Sequence, residues 1–217
     1  MTRVATDMAL TVVTRIGEAR VRLVTYRPAG GADPGDVASL MALVEDAESR
    51  CGTTTVVAID GLSGSGKSSL ADAVARHFEA PIVHMDDLYP GWDGLAVAVD
   101  LVTTQVLEPL ARGARAAYRR WDWHRSRWAE TVPVPDAPVL VLEGCGCSVR
   151  PAGDYAAVRV WVEAAAEVRK DRGIARDGAA YAPHWDRWMA QERALFAADG
   201  TRERAHLVID TTPTAAN

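Results

Sequence analysis

Apolar and polar positions along the chain alternate between two periods. Val56-Val57-Ala58-Ile59 and Val139-Leu140-Val141-Leu142 are short unbroken apolar runs rich in β-branched residues, as expected of strands buried on both faces of a parallel sheet. Pro81 to Met85, Val158 to Val162 and Leu207-Val208-Ile209 read as three further strands. Between these runs the spacing becomes helical, over Lys67 to Phe78, Ala164 to Ala175 and about Pro183 to Ala198. A longer helix is expected from Leu95 to Arg112, with Val99, Val102, Val106 and Leu110 on its apolar face and Gly113 as its stop. Strands separated by helices need crossover connections, so the pattern predicts an α/β fold of three layers, a five-stranded parallel sheet flanked by helices.

Upstream the pattern is weaker. Val21 to Tyr26 can form a short strand, Pro28 to Gly35 is dense in turn formers, and Asp36 can cap a helix bearing Val37, Leu40, Met41, Val44 and Ala47 that ends at Gly52. Residues 1–52 are therefore expected to extend a core domain of residues 53–212, with residues 213–217 as a loose tail.

Composition narrows the classes. The 217 residues are 48% apolar and 24% charged, and no apolar run approaches the roughly 18 residues a bilayer crossing needs, so membrane spanning is not expected. A formal charge of −5 argues against a nucleic-acid partner, which needs a positive field. Cys51, Cys145 and Cys147 make no disulfide framework, and the first residues lack a secretory pattern, so a cytoplasmic protein is expected. Cys145-Gly146-Cys147 has no second ligand pair for zinc and reads as small buried side chains.

The chemistry concentrates between the first strand and its helix. Gly61-Leu62-Ser63-Gly64-Ser65-Gly66-Lys67-Ser68 fits the phosphate-loop pattern G-x-x-x-x-G-K-[ST] at every fixed position, in the required strand–loop–helix context. Glycines let backbone N–H groups turn inward around phosphate, and the following helix adds its positive end. Lys67 supplies a mobile charge for the outer phosphates, and the Ser68 hydroxyl suits Mg²⁺. The chain has only two lysines, Lys67 and Lys170, among its 24 basic residues, so lysine is kept where a compact charge is needed. A GTPase would carry an N-K-x-D segment and a transporter ATPase an L-S-G-G-Q-like one; neither occurs, which leaves mainly small kinases.

Ile59-Asp60-Gly61 to Ser68, His84-Met85-Asp86-Asp87-Leu88-Tyr89 after the second strand, and Leu142-Glu143-Gly144 after the third resemble the uridine kinase and phosphoribulokinase family of P-loop kinases, over about residues 53–212. The resemblance implies the P-loop kinase fold, ATP and Mg²⁺, and γ-phosphoryl transfer to a hydroxyl of a small molecule. It makes Asp86 the candidate base, with Asp87 as its competitor, and Tyr89 part of the acceptor site. His84 and Leu88 depart from the serine and phenylalanine of the family's segment. Glu143, at a strand end, can reach a metal beside Ser68, and Asp86 is counted with them; a solvated strand-end charge is the alternative. Ser69 and Arg172 are counted with the nucleotide-binding residues.

The stretch from Tyr118 to Trp128 is similar to the family's Y-D-F acceptor segment, with Trp121, Asp122 and Trp123 at those positions. Its aromatic faces can stack on a ring and its carboxylate can fix hydroxyls. A nucleic-acid strip or a β-hairpin with exposed arginines would show the same residues. Arg169, Arg172 and Arg176 share a helix face, and their spacing is similar to the family's lid, whose arginines close over the transferring phosphate. A solvated arginine face is the alternative. Trp185 and Trp188, three apart, read as packing residues.

The resulting expectation is an ATP-dependent kinase of a hydroxyl-bearing molecule, with a nucleoside as leading acceptor. A phosphorylated acceptor, motivated by Arg119, Arg120, Arg125 and Arg127, and a non-catalytic nucleotide-binding module, motivated by the extension, are the alternatives. The extension also offers a surface for a second copy of the chain.

Overall fold

The structure, a computed structural model, describes residues 11–15, 21–27, 34–178 and 182–213. The five apolar runs pair as β3 (Thr55–Gly61), β4 (Ile82–His84), β7 (Val139–Glu143), β8 (Val158–Glu163) and β9 (Leu207–Pro213), all parallel, in the order β4-β7-β3-β8-β9. Two strands outside the core extend this sheet at the β9 edge. β2 (Val21–Arg27) pairs parallel with β9, and β1 (Thr11–Arg15) pairs antiparallel with β2.

Alternate side chains of β3 feed opposite layers. Val57 and Ile59 pack with Leu40 and Val44 of α1 (Pro34–Glu45) and with Leu70 and Val74 of α2 (Lys67–Phe78). Val56 and Ala58 face the other cluster, built with α3 (Leu95–Val102) and α7 (Trp185–Asp199). This is the three-layer, five-stranded parallel arrangement that unbroken apolar strands require. The helix after β4 runs from α3 through a π-helical turn, Thr103–Leu107, into α4 (Glu108–Ala111). Thr103 turns its buried hydroxyl back onto the Val99 carbonyl at 2.7 Å, and such back-bonding is a local competitor of the regular ladder. A short helix α5 (Ala152–Tyr155) precedes β8, and α6 (Ala166–Asp177) follows it. Among the described residues no helix is long and apolar enough to cross a membrane.

Several expectations need correction. α1 begins at Pro34, so Asp36 lies inside its first turn, and it ends at Glu45 rather than Gly52. Beyond it the Ser49 hydroxyl bonds the carbonyls of Gly52 (3.0 Å) and Thr54 (2.6 Å), closing a turn that delivers the chain to β3. β9 runs past Ile209 to Pro213, so Pro213 belongs to the sheet and not to the tail; residues 214–217 lie outside the described residues, as do residues 28–33 of the expected turn segment. The stretch from Ala117 to Pro133 is a separate hairpin, β5 (Ala117–Asp122) with β6 (Arg127–Pro133), which was one of the alternatives open from the sequence.

Candidate active site

The site lies over the C-terminal ends of the parallel strands, where open α/β sheets leave a crevice. β3 ends at Gly61 and α2 begins at Lys67, and the loop between them is shaped by close backbone approach. A Cβ at Gly61 would stand 2.0 Å from the Val162 carbonyl oxygen, and one at Gly64 would stand 2.2 Å from that of Arg169. Both have positive φ, so the loop needs glycine there twice over.

Asp60 anchors the base of the loop. Its carboxylate, wholly buried, accepts from the Gly61, Gly146 and Ser148 amides at 2.7, 2.9 and 2.8 Å and from the Ser148 hydroxyl at 2.9 Å. Burial nevertheless outweighs these donors and raises its pKa to about 6. A second carboxylate holds the other side of the loop. Glu192 of α7, 0% exposed, takes the Ser63 amide (2.9 Å), the Ser63 hydroxyl (2.6 Å), the Trp188 indole N–H (2.9 Å) and the Cys145 thiol (3.0 Å) on one oxygen.

Lys67 donates to the Leu62 carbonyl at 3.0 Å from within the loop. Burial opposes its charge, but the acidic groups around it, Cys145, Glu143, Glu192 and Asp60, more than offset burial and raise its pKa above the ordinary lysine value. Ser68, one residue on, donates to Glu143 at 3.1 Å. β4 aligns His84 opposite Glu143, and His84 Nδ1 lies 2.9 Å from its other oxygen. Burial favours the neutral form of Glu143, yet the His84 hydrogen bond, the Lys67 charge and the Ser68 hydroxyl keep its pKa below the usual carboxylate range. Hard oxygen donors on a hydroxyl and a carboxylate, side by side beneath the loop, fit Mg²⁺, which takes few protein ligands and keeps much of its water.

Two adjoining chambers open here. The first is lined by Ser63, Gly64, Gly66, Lys67, Ser68 and Ser69 of the loop together with Asp86, Glu143, Cys145, Arg172 and Arg176. The second, of about 370 Å³, is lined by Asp86, Asp87, Tyr89, Trp92, Trp121, Trp123 and Trp188 among others, a volume in the range of small-molecule pockets. Ser63, Asp86 and Arg176 border both. Asp86 stands in the single 3₁₀ turn after β4, and the Trp123 indole donates to its carbonyl at 2.8 Å. Asp87 borders only the second chamber and accepts the Tyr118 hydroxyl at 3.1 Å.

Not every expected residue joins them. Arg169 is 7% exposed and lines neither chamber: its guanidinium donates to the Ser63 carbonyl at 3.2 Å, the Ala164 carbonyl at 3.1 Å and the Met189 sulfur at 3.3 Å. It braces the loop from behind instead of facing a ligand. Asp122 also lies outside both chambers; its carboxylate accepts the His124 and Arg125 amides, each at 3.0 Å, and closes the β5–β6 turn. Ser65 is wholly buried and borders neither chamber, and Gly61 serves the loop's approach to β8. Arg172 reaches the first chamber while bonding Thr211 Oγ1 at 2.8 Å and the Thr211 carbonyl at 3.0 Å.

Asp60, Glu192, Trp92 and the loop contact of Trp188 escaped sequence reading. Asp60 carried a signal, its place directly before Gly61. Glu192 carried none, since its spacing from Trp188 places it on a helix face but does not report the distant loop it supports.

No family model matches the chain, and no curated protein matches it. Solved structures do. A possible uridine kinase from Bacillus stearothermophilus is 19% identical, with 81% of this chain covering 98% of that one at a TM-score of 0.60. A candidate fructose transport system kinase from Silicibacter sp. TM1040 is 21% identical, with 79% of this chain covering 98% of that one at a TM-score of 0.54. These likenesses show the fold, a parallel α/β sheet flanked by helices that this chain shares with both structures.

Proposed function

We propose that the protein transfers the γ-phosphoryl group of ATP to a hydroxyl of a small molecule, with a nucleoside as the leading acceptor. The observation that carries this reading is the sharing of Asp86 and Arg176 between the phosphate-loop chamber and the aromatic one. A carboxylate and a cation at that junction are what a hydroxyl and a transferring phosphoryl group both need.

In this reading the loop amides and Lys67 hold the triphosphate, and the second chamber holds the acceptor. Asp86 orients the acceptor hydroxyl and takes its proton as the oxygen bonds to the γ-phosphorus. The bond from that phosphorus to the β–γ bridging oxygen breaks, and ADP leaves. Arg172 and Arg176 offset the charge on the group in flight. Ser68 and Glu143 would hold Mg²⁺, which supplies charge neutralisation on the phosphate oxygens. A phosphorylated acceptor is supported less well, since Arg120 is already paired with Glu130 at 2.7 Å and Arg125 with Asp122 at 3.2 Å.

Acceptor-dependent ADP release across nucleosides, nucleotides, sugars and vitamins tests the proposal. Asp86→Asn should lower turnover of any accepted compound by roughly 10²–10⁴-fold while Mg·ATP still binds. Asp87→Asn, which disturbs only the acceptor wall, should act mainly on KM. The reverse ranking would transfer the base role to Asp87.

A further inference from the structure

The second chamber has an unusual wall. Four of the chain's seven tryptophans, Trp92, Trp121, Trp123 and Trp188, line it, together with Tyr89. Three of the four, Trp92, Trp121 and Trp123, are only half-buried. Large apolar faces left in contact with water are unfavourable, and three that converge on one cavity mark a surface that a ligand covers. The rings are also tilted against one another: Trp92 meets Trp123 at 58° with centroids 5.0 Å apart, and meets Trp188 at 87° with centroids 6.2 Å apart. One face of Trp92 is already stacked on His184, at 13° with centroids 4.4 Å apart, and the mutual tilt of the other rings leaves edges as well as faces around the chamber, the two modes by which aromatic rings pack.

Several polar atoms of the same wall are engaged inside the protein. The Tyr89 hydroxyl donates to the Cys145 carbonyl at 2.8 Å, and the Trp123 indole donates to the Asp86 carbonyl at 2.8 Å. The Trp188 indole divides its proton between Ser63 Oγ and Glu192, each at 2.9 Å. Asp87 is taken by Tyr118, and Arg120 by Glu130. His124 stands exposed at the rim. Asp86 and Arg176 are at the junction with the nucleotide chamber, where the reacting hydroxyl belongs. A ligand in this chamber therefore meets ring faces, with few groups placed to read a pattern of donors and acceptors along its edge.

We infer that the acceptor is an alcohol carrying a flat aromatic ring, recognised by stacking and not by the hydrogen-bonding edge of that ring. The inference rests on the phosphoryl-transfer reading for the position of the hydroxyl, and rests on the tryptophan wall for the ring. Stacking accepts any π-face, so uracil, cytosine, adenine and a simple pyridine ring are treated alike, whereas a sugar without a ring system loses the interaction.

The test uses the full chain with Mg·ATP and a matched panel: uridine, cytidine, adenosine, a hydroxymethylpyridine, an aliphatic alcohol of similar size, and ribose. Both kcat/KM for ADP release and binding by tryptophan-fluorescence quenching are measured. The ring-bearing alcohols are expected within about tenfold of one another, and at least about a hundredfold above ribose and the aliphatic alcohol, the span that one to two stacked contacts supply. Trp92→Ala and, separately, Trp121→Ala should each raise the KM and the quenching Kd of every ring-bearing alcohol by about 5- to 150-fold. Preference for one base by more than a hundredfold over the other rings overturns the inference, as does equal use of ribose. If Mg·ATP binds by calorimetry and no ring compound quenches, the inference fails and nucleotide binding stands. If Mg·ATP itself does not bind, it is the phosphoryl-transfer reading that fails, and quenching by the ring compounds still decides the wall.

Discussion

At the scale of the residue, Asp60 is a carboxylate placed where its charge is costly. Its four donors stabilise the ionised form, burial opposes it more strongly, and the pKa rises from the ordinary 3.8 to about 6. Between those values the native chain binds the proton and the unfolded chain does not. Stability from this group is therefore greatest below about pH 4 and falls as pH rises through about 6, by about 3 kcal/mol once ionisation is complete. Asp60→Asn has no such titration. The stability of the wild type relative to Asp60→Asn, from urea denaturation between pH 4 and 7, should decline by about that amount across the window. A difference that stays flat with pH would mean that the donors cancel the burial. The ionised carboxylate is retained because it clamps two segments at once, Gly61 on the phosphate loop and Gly146 with Ser148 on the loop after β7.

At the scale of the element, α6 shows how one stripe of side chains serves two purposes. Arg169, Arg172 and Arg176 lie along a single face, but the helix starts against the phosphate loop and runs outward. Its first arginine is consequently buried behind Ser63 and Gly64, while the later two reach the cleft. Arg169→Ala leaves the Ser63 and Ala164 carbonyls without that donor, and should cost about 2–4 kcal/mol of stability in chemical denaturation. Arg176→Ala should instead leave the unfolding midpoint nearly unchanged and lower turnover by roughly 10²-fold or more. Equal effects of the two changes on both measurements would contradict this division. Helical spacing places the arginines on one face correctly, but says nothing of the angle at which that face meets the loop.

The same limit explains Asp122. An aspartate that closes a tight turn and one that fixes a substrate hydroxyl are the same residue in the same kind of sequence, and only the β5–β6 register separates them. By contrast α2 was legible to the residue at both ends. Its start is set by the glycine loop and its stop by Glu79 in the left-handed region with Pro81 close behind, all local signals.

At the scale of the whole molecule, the five central strands were legible because burial on both faces leaves an unbroken apolar run that few other structures tolerate. The edge was less so. β1 and β2 extend the sheet beyond β9, and of these only the Val21 to Tyr26 stretch was expected as a strand, although Thr11-Val12-Val13-Thr14 is also β-branched throughout. The second support of the phosphate loop was not legible, since Glu192 lies 129 residues from Ser63 and no local period reports a contact that distant. Fold and phosphate loop thus follow from short-range pattern, whereas the tryptophan chamber is assembled from Trp92 after β4, the β5–β6 hairpin and α7, and exists only once the sheet has formed.

All of this turns on whether the cradle between β3 and α2 takes up a triphosphate. Titration calorimetry of the full chain with Mg·ATP should give saturable binding at one site per molecule, weakened at least about tenfold in Lys67→Ala, whose circular dichroism should match the wild type. Absence of binding by the folded wild-type chain, or an affinity untouched by loss of Lys67, would contradict the account.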